Sequence, residues 1–300
     1  MALAPILVLI LIGYSLKRSH FLPDDAWSGM EKLTYFVLFP ALLVRTLGNQ
    51  SLAGAPWSAM LLVVVGTLLL AAALLIAWRQ FGAAVDGATF TSIFQGGVRF
   101  NTYIALAVAQ AFFGVDGLAM GAVTAGFMIV LINLLCISAF AVWGTRSRKG
   151  WKPIIRDVIG NPLILACALG WLLSLSGIGV PGIAEDILEI IGRAALPFGL
   201  LAVGAALKPE AVRGHIGPIL VSSIIQFGLK PTATALLIVV TGLSGVPAGA
   251  LAICFMVPTA PSAYILARQL GGDTAAMASI ITFQTLLAFL VMPFIALLLL

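Results

Sequence analysis

The sequence predicts an all-α polytopic membrane protein. Its 300 residues are 61% hydrophobic and 9% charged, with a mean hydropathy of +1.14, whereas soluble domains carry about 25% charge. Two apolar runs are also interrupted deep inside, one at Arg99-Phe100-Asn101-Thr102 after Gly96-Gly97, the other at Pro258-Thr259-Ala260-Pro261. Lipid cannot satisfy the backbone groups that such breaks set free, so they persist only where they line a cavity or a site.

At about 20 residues per span, the hydrophobic runs predict ten transmembrane helices, near 3–17, 27–48, 57–78, 87–113, 117–143, 160–177, 183–207, 215–242, 247–271 and 274–300. The first run precedes Lys17 and Arg18, the reverse of a cleaved leader, and reads as a retained span. Pro40 and Pro197 are expected to bend the second and seventh spans. Cys136, Cys167 and Cys254 lie apart inside apolar runs and read as small core residues, with no metal or disulfide spacing.

The net charge of +5 is not a nucleic-acid footprint, because the basic residues collect in particular connections. Arg146, Arg148, Lys149, Lys152 and Arg156 follow span five; Lys17 and Arg18 follow span one; Arg79 follows span three; Lys208 and Arg213 follow span seven. The opposite connections carry Glu185 and Asp186 or no charge. The positive-inside rule makes the basic side cytoplasmic, with both termini outside, in a multi-pass protein of the cytoplasmic (inner) membrane.

Shifted by 157, the chain superimposes its own punctuation: Pro5 on Pro162, Gly13 on Gly170, Tyr14 on Trp171, Pro40 on Pro197, Gly114 on Gly271, Asp116 on Asp273, Met120 on Met277. Each half then holds five spans. An odd number inverts the second half in the membrane, the inverted repeat of secondary transporters. The expected organisation is a first repeat at 1–143, a basic cytoplasmic linker at 144–159 and a second, inverted repeat at 160–300. Asn101 falls on Pro258 and Thr102 on Thr259, so the fourth and ninth helices are broken at equivalent points and are expected to cross there. Asn101, Thr102 and Thr259 are suited to N-capping and Pro261 to an early helical position. Two half-helix N-termini at such a crossing would favour a carboxylate.

Arg99 lies about twelve residues into its span, roughly 18 Å along at 1.5 Å per residue, and Lys230 is similarly deep. Neither has an acidic neighbour in sequence. Unpaired, the two would cost about 5–7 kcal/mol. They read either as counter-ions for an anionic substrate or as cations held by distant carbonyl dipoles or a wet cavity; Lys230, one turn after Gln226, could also be a coupling group. Arg193 is expected to pair with Glu189, and Arg45 and Arg268 to snorkel from span ends. Gln95, Asn133, Thr282, Gln284 and Thr285 are polar neighbours, each otherwise readable as interhelical glue; Gln284 is the best placed.

These stretches resemble the auxin efflux carrier family, which includes bacterial malonate- or malate-permease-like proteins. The resemblance rests on Asn101–Gly114 (NTYIALAVAQAFFG), on VPTAPSAYILARQLGGD within Val257–Pro293, and on FPALL at Pro40. It implies ten spans in two inverted repeats, a fold shared with bile-acid sodium symporters. It also implies crossing fourth and ninth spans, organic-anion transport and elevator-like movement against a scaffold. On this chain the crossing maps to Asn101 and to Pro258 and Pro261; the Pro258-Thr-Ala-Pro261 stretch departs from members with more consecutive prolines. The expected function is secondary transport of small organic anions, without cofactor or metal, at Arg99, Asn101, Thr102, Pro258, Thr259, Pro261, Gln284 and Lys230. A proton or sodium ion as coupling partner and a homodimer through the scaffold fit that expectation. The alternative is a sodium-coupled bile-acid-like or auxin-like symporter or uniporter. An intramembrane aspartyl enzyme is disfavoured because Asp116 and Asp273 would face opposite sides, and both read instead as helix N-caps. The histidines have no evident Ser or Cys partner. A passive channel is less compatible with the repeat.

Overall fold

The structure, a computed structural model, describes residues 3–50, 55–82, 84–145, 160–212 and 214–299. The proposed linker at 144–159, with Arg146, Arg148, Lys149, Lys152 and Arg156, lies almost wholly outside the described residues, as does Arg213.

Helices occupy each stretch where a span was expected, and no strand occurs among the described residues. α1 (Ala4–Arg18) starts with Pro5 in its first turn, where the missing N–H is harmless. α2 (Asp24–Leu33) runs through a π turn at Thr34–Leu38 into α3 (Phe39–Gly48). Pro40 stands just after that turn. Its lack of an N–H prevents a bond to the preceding turn and gives the wider winding a local cause. α4 spans Trp57–Phe81 and α5 Gly87–Val98. Asp86 caps α5 by accepting from the Thr89 N–H at 3.0 Å, which holds its carboxyl below the usual carboxylate range.

α6 runs Thr102–Trp143, merging the regions expected as the end of span four and all of span five. Its one interruption is Gly114 at φ 63, ψ −142, a conformation that only glycine adopts freely. A single glycine therefore does the work of the expected loop.

The second half follows as α7 (Pro162–Ser176), α8 (Gly182–Arg193), α9 (Ala195–Ala205), a 3₁₀ turn at Pro209–Val212 and α10 (Ile216–Ser223). A π turn at Ile224–Leu229 leads into α11 (Lys230–Thr241), again with a proline, Pro231, directly after it. α12 (Gly245–Met256), α13 (Ser262–Leu270) and α14 (Thr274–Leu299) complete the chain. Pro197 sits in the first turn of α9, after the α8–α9 interruption at Ala194.

Among the described residues, five helical stretches are long and apolar enough to cross a membrane: Trp57–Phe81, Gly87–Trp143, Gly182–Ala205, Ile216–Thr241 and Thr274–Leu297; Pro162–Ser176 and Gly245–Met256 are shorter apolar helices. Large apolar side chains such as Val239 (79% exposed) and Leu172 (66%) stand on the outside, a surface suited to lipid rather than water.

The helices pack in two groups. α1 lies along α9, and α3 along α7 and α8. In the other group α4 meets α11, α5 meets α10 and α14, and α6 meets α12. α6 also touches α3, α7 and α9 and so bridges the groups. The α1–α9 contact depends on glycine: a Cβ on Gly204 would lie 1.9 Å from the Ile10 carbonyl oxygen, and one on Gly13 2.1 Å from that of Leu201.

Polar contacts gather the connections at two ends. At one, Arg18 pairs with Glu210 at 2.5 Å, the Lys208 N–H donates to Thr282 Oγ1, and Thr89 Oγ1 donates to Asp273 Oδ2. At the other, Gln50 Nε2 donates to Asp116 Oδ1 and the Val180 N–H to Asn49 Oδ1. Asp273 caps α14 through the Ala275 and Ala276 N–H groups. Asp116 follows the Gly114 kink, where the helix starts afresh, but its Oδ1 accepts from Gln50 rather than from that start. The two aspartates therefore form no dyad.

Candidate functional site at two interrupted helices

α5 stops at Val98, where Arg99 turns extended (ψ 165), and α12 stops at Met256, where Val257 does the same (ψ 155). The two interruptions touch: the Asn101 N–H donates to the Pro258 carbonyl at 2.8 Å. Asn101 is 1% exposed and Thr259 fully buried, so every backbone group freed here needs a partner from protein or ligand.

Most partners are side chains. Asn101 Oδ1 accepts from the N–H groups of Tyr103 and Ile104, capping α6. Gln284 joins both breaks: its Nε2 donates to the Gly96 carbonyl at 3.0 Å and its Oε1 accepts from the Thr259 N–H at 3.1 Å. Gln95 Nε2 donates to the Ala263 carbonyl at 3.3 Å. Lys230 donates to the carbonyls of Val98 and Arg99 at 3.3 and 3.2 Å and to Gln226 Oε1 at 2.8 Å. Gln226 in turn donates to the Val257 carbonyl.

One donor stays open: Asn101 Nδ2 is buried without a protein partner. The first turn of α13 has no side-chain cap, its Ala263 and Tyr264 N–H groups being given to the Ala260 and Pro261 carbonyls at 3.0 Å. Thr259 was expected to cap that turn. It stands two residues before the cap position, which Pro261 occupies, with its N–H given to Gln284 and its hydroxyl 3.5 Å from the Gln95 carbonyl. Thr102 is likewise the first helical residue, half-buried, and Asn101 alone does the capping.

Arg99 is half-buried. Its guanidinium reaches two neutral acceptors, Gln95 Oε1 at 3.3 Å and Asn133 Oδ1 at 3.5 Å. No carboxylate among the described residues forms an ion pair with it. Tyr35, after α2, is within its electrostatic reach, and Tyr35 and Glu31 are within that of Tyr103. The Tyr103 ring stacks on Phe39, centroids 4.5 Å apart, and fills space left by Gly199. Glu31, Tyr35 and Tyr103 thus join the polar surroundings, which sequence reading missed. Glu31 and Tyr35 share a helix face at i, i+4, the one signal that could have singled them out.

The structure brings together Arg99, Asn101, Thr102, Pro258, Thr259, Pro261, Gln284 and Lys230 around one contact. It gives them unequal duties, since Gln284 and Lys230 spend their polar atoms on the breaks themselves. Away from it, Arg193 donates to Glu189 as expected. Arg45, near a span end, pairs with Glu189 at 2.9 Å and Glu185 at 3.7 Å, partners that the sequence reading did not name. Arg268 lies in the last turn of α13. His215 does have a serine neighbour: Ser279 Oγ is 3.1 Å from its Nδ1. That hydroxyl also lies within hydrogen-bond reach of the Ala275 and Ala211 carbonyls and has one hydrogen to give, so it serves as a helix tie. A cavity of about 450 Å³ lies elsewhere, lined by Tyr14, Lys17, Arg18, His20, Leu207 and Glu210 at the ends of α1 and α9.

Apolar helices interrupted at a shared, buried polar point define a multi-pass membrane transporter. Residues 145–296 match the family described as membrane transport protein, and the chain belongs to it; this is the family of the auxin efflux carriers. A protein of Methanothermobacter thermautotrophicus named as an uncharacterized transporter is 23% identical over 292 residues, covering 96% of this chain and 94% of that one. Both point to a transporter and away from an enzyme.

Proposed function

We propose that the protein is a secondary carrier of small organic anions, mono- or dicarboxylates, with the substrate held where the two interrupted helices touch. The observation that carries this reading is Asn101: a buried carboxamide whose Oδ1 caps α6 while its Nδ2 has no protein partner. It sits beside a helix start without a side-chain cap and follows a guanidinium with only neutral partners. Donors, a positive helix pole and a fork-shaped cation together match a carboxylate. Arg99 attracts it; Asn101, Thr102 and Thr259 orient it. Pro258 and Pro261 keep the second break open because they bring no N–H of their own.

In this reading the fold is two inverted five-helix repeats whose fourth and ninth helices cross. Element boundaries support it: α1 and α7, α3 and α9, and the starts of α5 and α12 recur about 157 residues apart, and Gly114 and Gly271, 157 apart, both have positive φ. The two packing groups support an elevator: α1–α3 with α7–α9 as scaffold, α4–α6 with α10–α14 as the moving part. The basic ends face the cytoplasm and both termini face outward.

The experiment is counterflow. Proteoliposomes loaded with an unlabelled carboxylate should accumulate the labelled one transiently and saturably. Flux without exchange would make the protein a pore, and no flux across a panel of mono- and dicarboxylates would refute the reading.

A further inference from the structure

Interrupting α5 leaves carbonyls at its negative pole, and they are not all closed by neutral donors. Three oxygens converge on Lys230 Nζ: Val98 O at 3.3 Å, Arg99 O at 3.2 Å and Gln226 Oε1 at 2.8 Å. An ammonium has three N–H donors, so all three are used. The side chain is fully buried, no carboxylate among the described residues pairs with it, and the Phe255 ring lies 5.8 Å away. Cys136 and Cys254 are the other ionisable groups near it.

Two backbone carbonyls and an amide oxygen at an unwound segment form the kind of donor set that holds an alkali cation in carriers with broken helices. Here the chain's own cation fills it. The second break is closed differently, by neutral donors: Gln226 Nε2 on Val257 O and the Asn101 N–H on Pro258 O. The fixed charge therefore belongs to one break only.

We propose that Lys230 is a tethered cation that occupies the place a coupling sodium ion would need, so that the carrier works without sodium. This rests on the site reading above and adds its coupling. While protonated, the ammonium neutralises the α5 pole and supplies positive charge close to the substrate carboxylate without itself being a ligand.

The test needs no transported anion. Purified protein is melted in sodium chloride and in choline chloride of equal concentration, as the parent and as Lys230→Ala. The parent should melt at the same temperature in both salts. The variant, with three oxygens and a vacated space, should be raised by roughly 3 °C or more in sodium alone, saturably. Sodium-specific stabilisation of the parent, or a variant indifferent to sodium, would overturn the proposal. If Lys230→Ala does not fold, Lys230→Ser, whose short side chain also leaves the space and the three oxygens open, takes its place in the same comparison. In proteoliposomes, replacing sodium by choline should change the parent's uptake by less than twofold; a larger loss counts against the tethered cation. Absence of any anion uptake, with the melting results as expected, counts against the carrier reading alone.

Discussion

Single residues at the breaks do two kinds of work, and the sequence did not separate them. Asn101, Gln284 and Lys230 were all legible as polar groups at membrane depth. Only the folded chain reveals that Gln284 joins Gly96 to Thr259 and that Lys230 closes Val98 and Arg99, because those partners lie 25 to 188 residues away along the chain and local sequence carries no record of them. The same blindness explains why Thr259 was read as a cap and why the pairing of Arg45 with Glu185 and Glu189 went unseen. Gln284→Ala should strand two buried backbone groups at about 1–3 kcal/mol each. Thermal unfolding in detergent should show that loss, and unchanged stability would mean the bridge is not made.

Among the elements, the helices were legible almost completely, since apolar runs with basic or glycine-proline ends leave little freedom in where a span starts. What escaped was how short the joint between the fourth and fifth spans is. A loop was expected around Gly114, yet one positive-φ glycine sufficed. The π turns before Pro40 and Pro231 were likewise invisible, because hydropathy does not register a change of winding. Close approach was also hidden: Gly13 and Gly204 looked like two among 31 glycines, but they let α1 and α9 touch backbone to backbone. Gly204→Ala should force the pair apart and cost about 1–3 kcal/mol or more, read as a lower melting temperature. Gly217→Ala, where a Cβ meets nothing within 4 Å, is the control.

For the molecule as a whole, the membrane class was accessible from composition, and the family from the resemblance carried by Asn101–Gly114 and Val257–Pro293, whereas the two packing groups were not. The groups meet at an aromatic seam where Trp57 of α4 and Trp171 of α7 lie edge to face, centroids 6.3 Å apart. If α4 belongs to the moving part and α7 to the scaffold, joining them should stop transport. A Trp57→Cys, Trp171→Cys pair bridged by a thiol cross-linker should lose counterflow and regain it on using a cleavable linker and reductant. Full activity while cross-linked would contradict relative movement of the groups.

The central claim is that an anion is held at Asn101, where the two interruptions touch. Asn101→Asp tests it most directly, because a carboxylate keeps the acceptor that caps α6 but removes the open Nδ2 donor and repels an anion. Carboxylate uptake by proteoliposomes should fall to background while the melting temperature stays within about 4 °C of the parent, under roughly 1–2 kcal/mol for a chain of this size. Uptake at the parent's level from a folded Asn101→Asp protein would contradict the account.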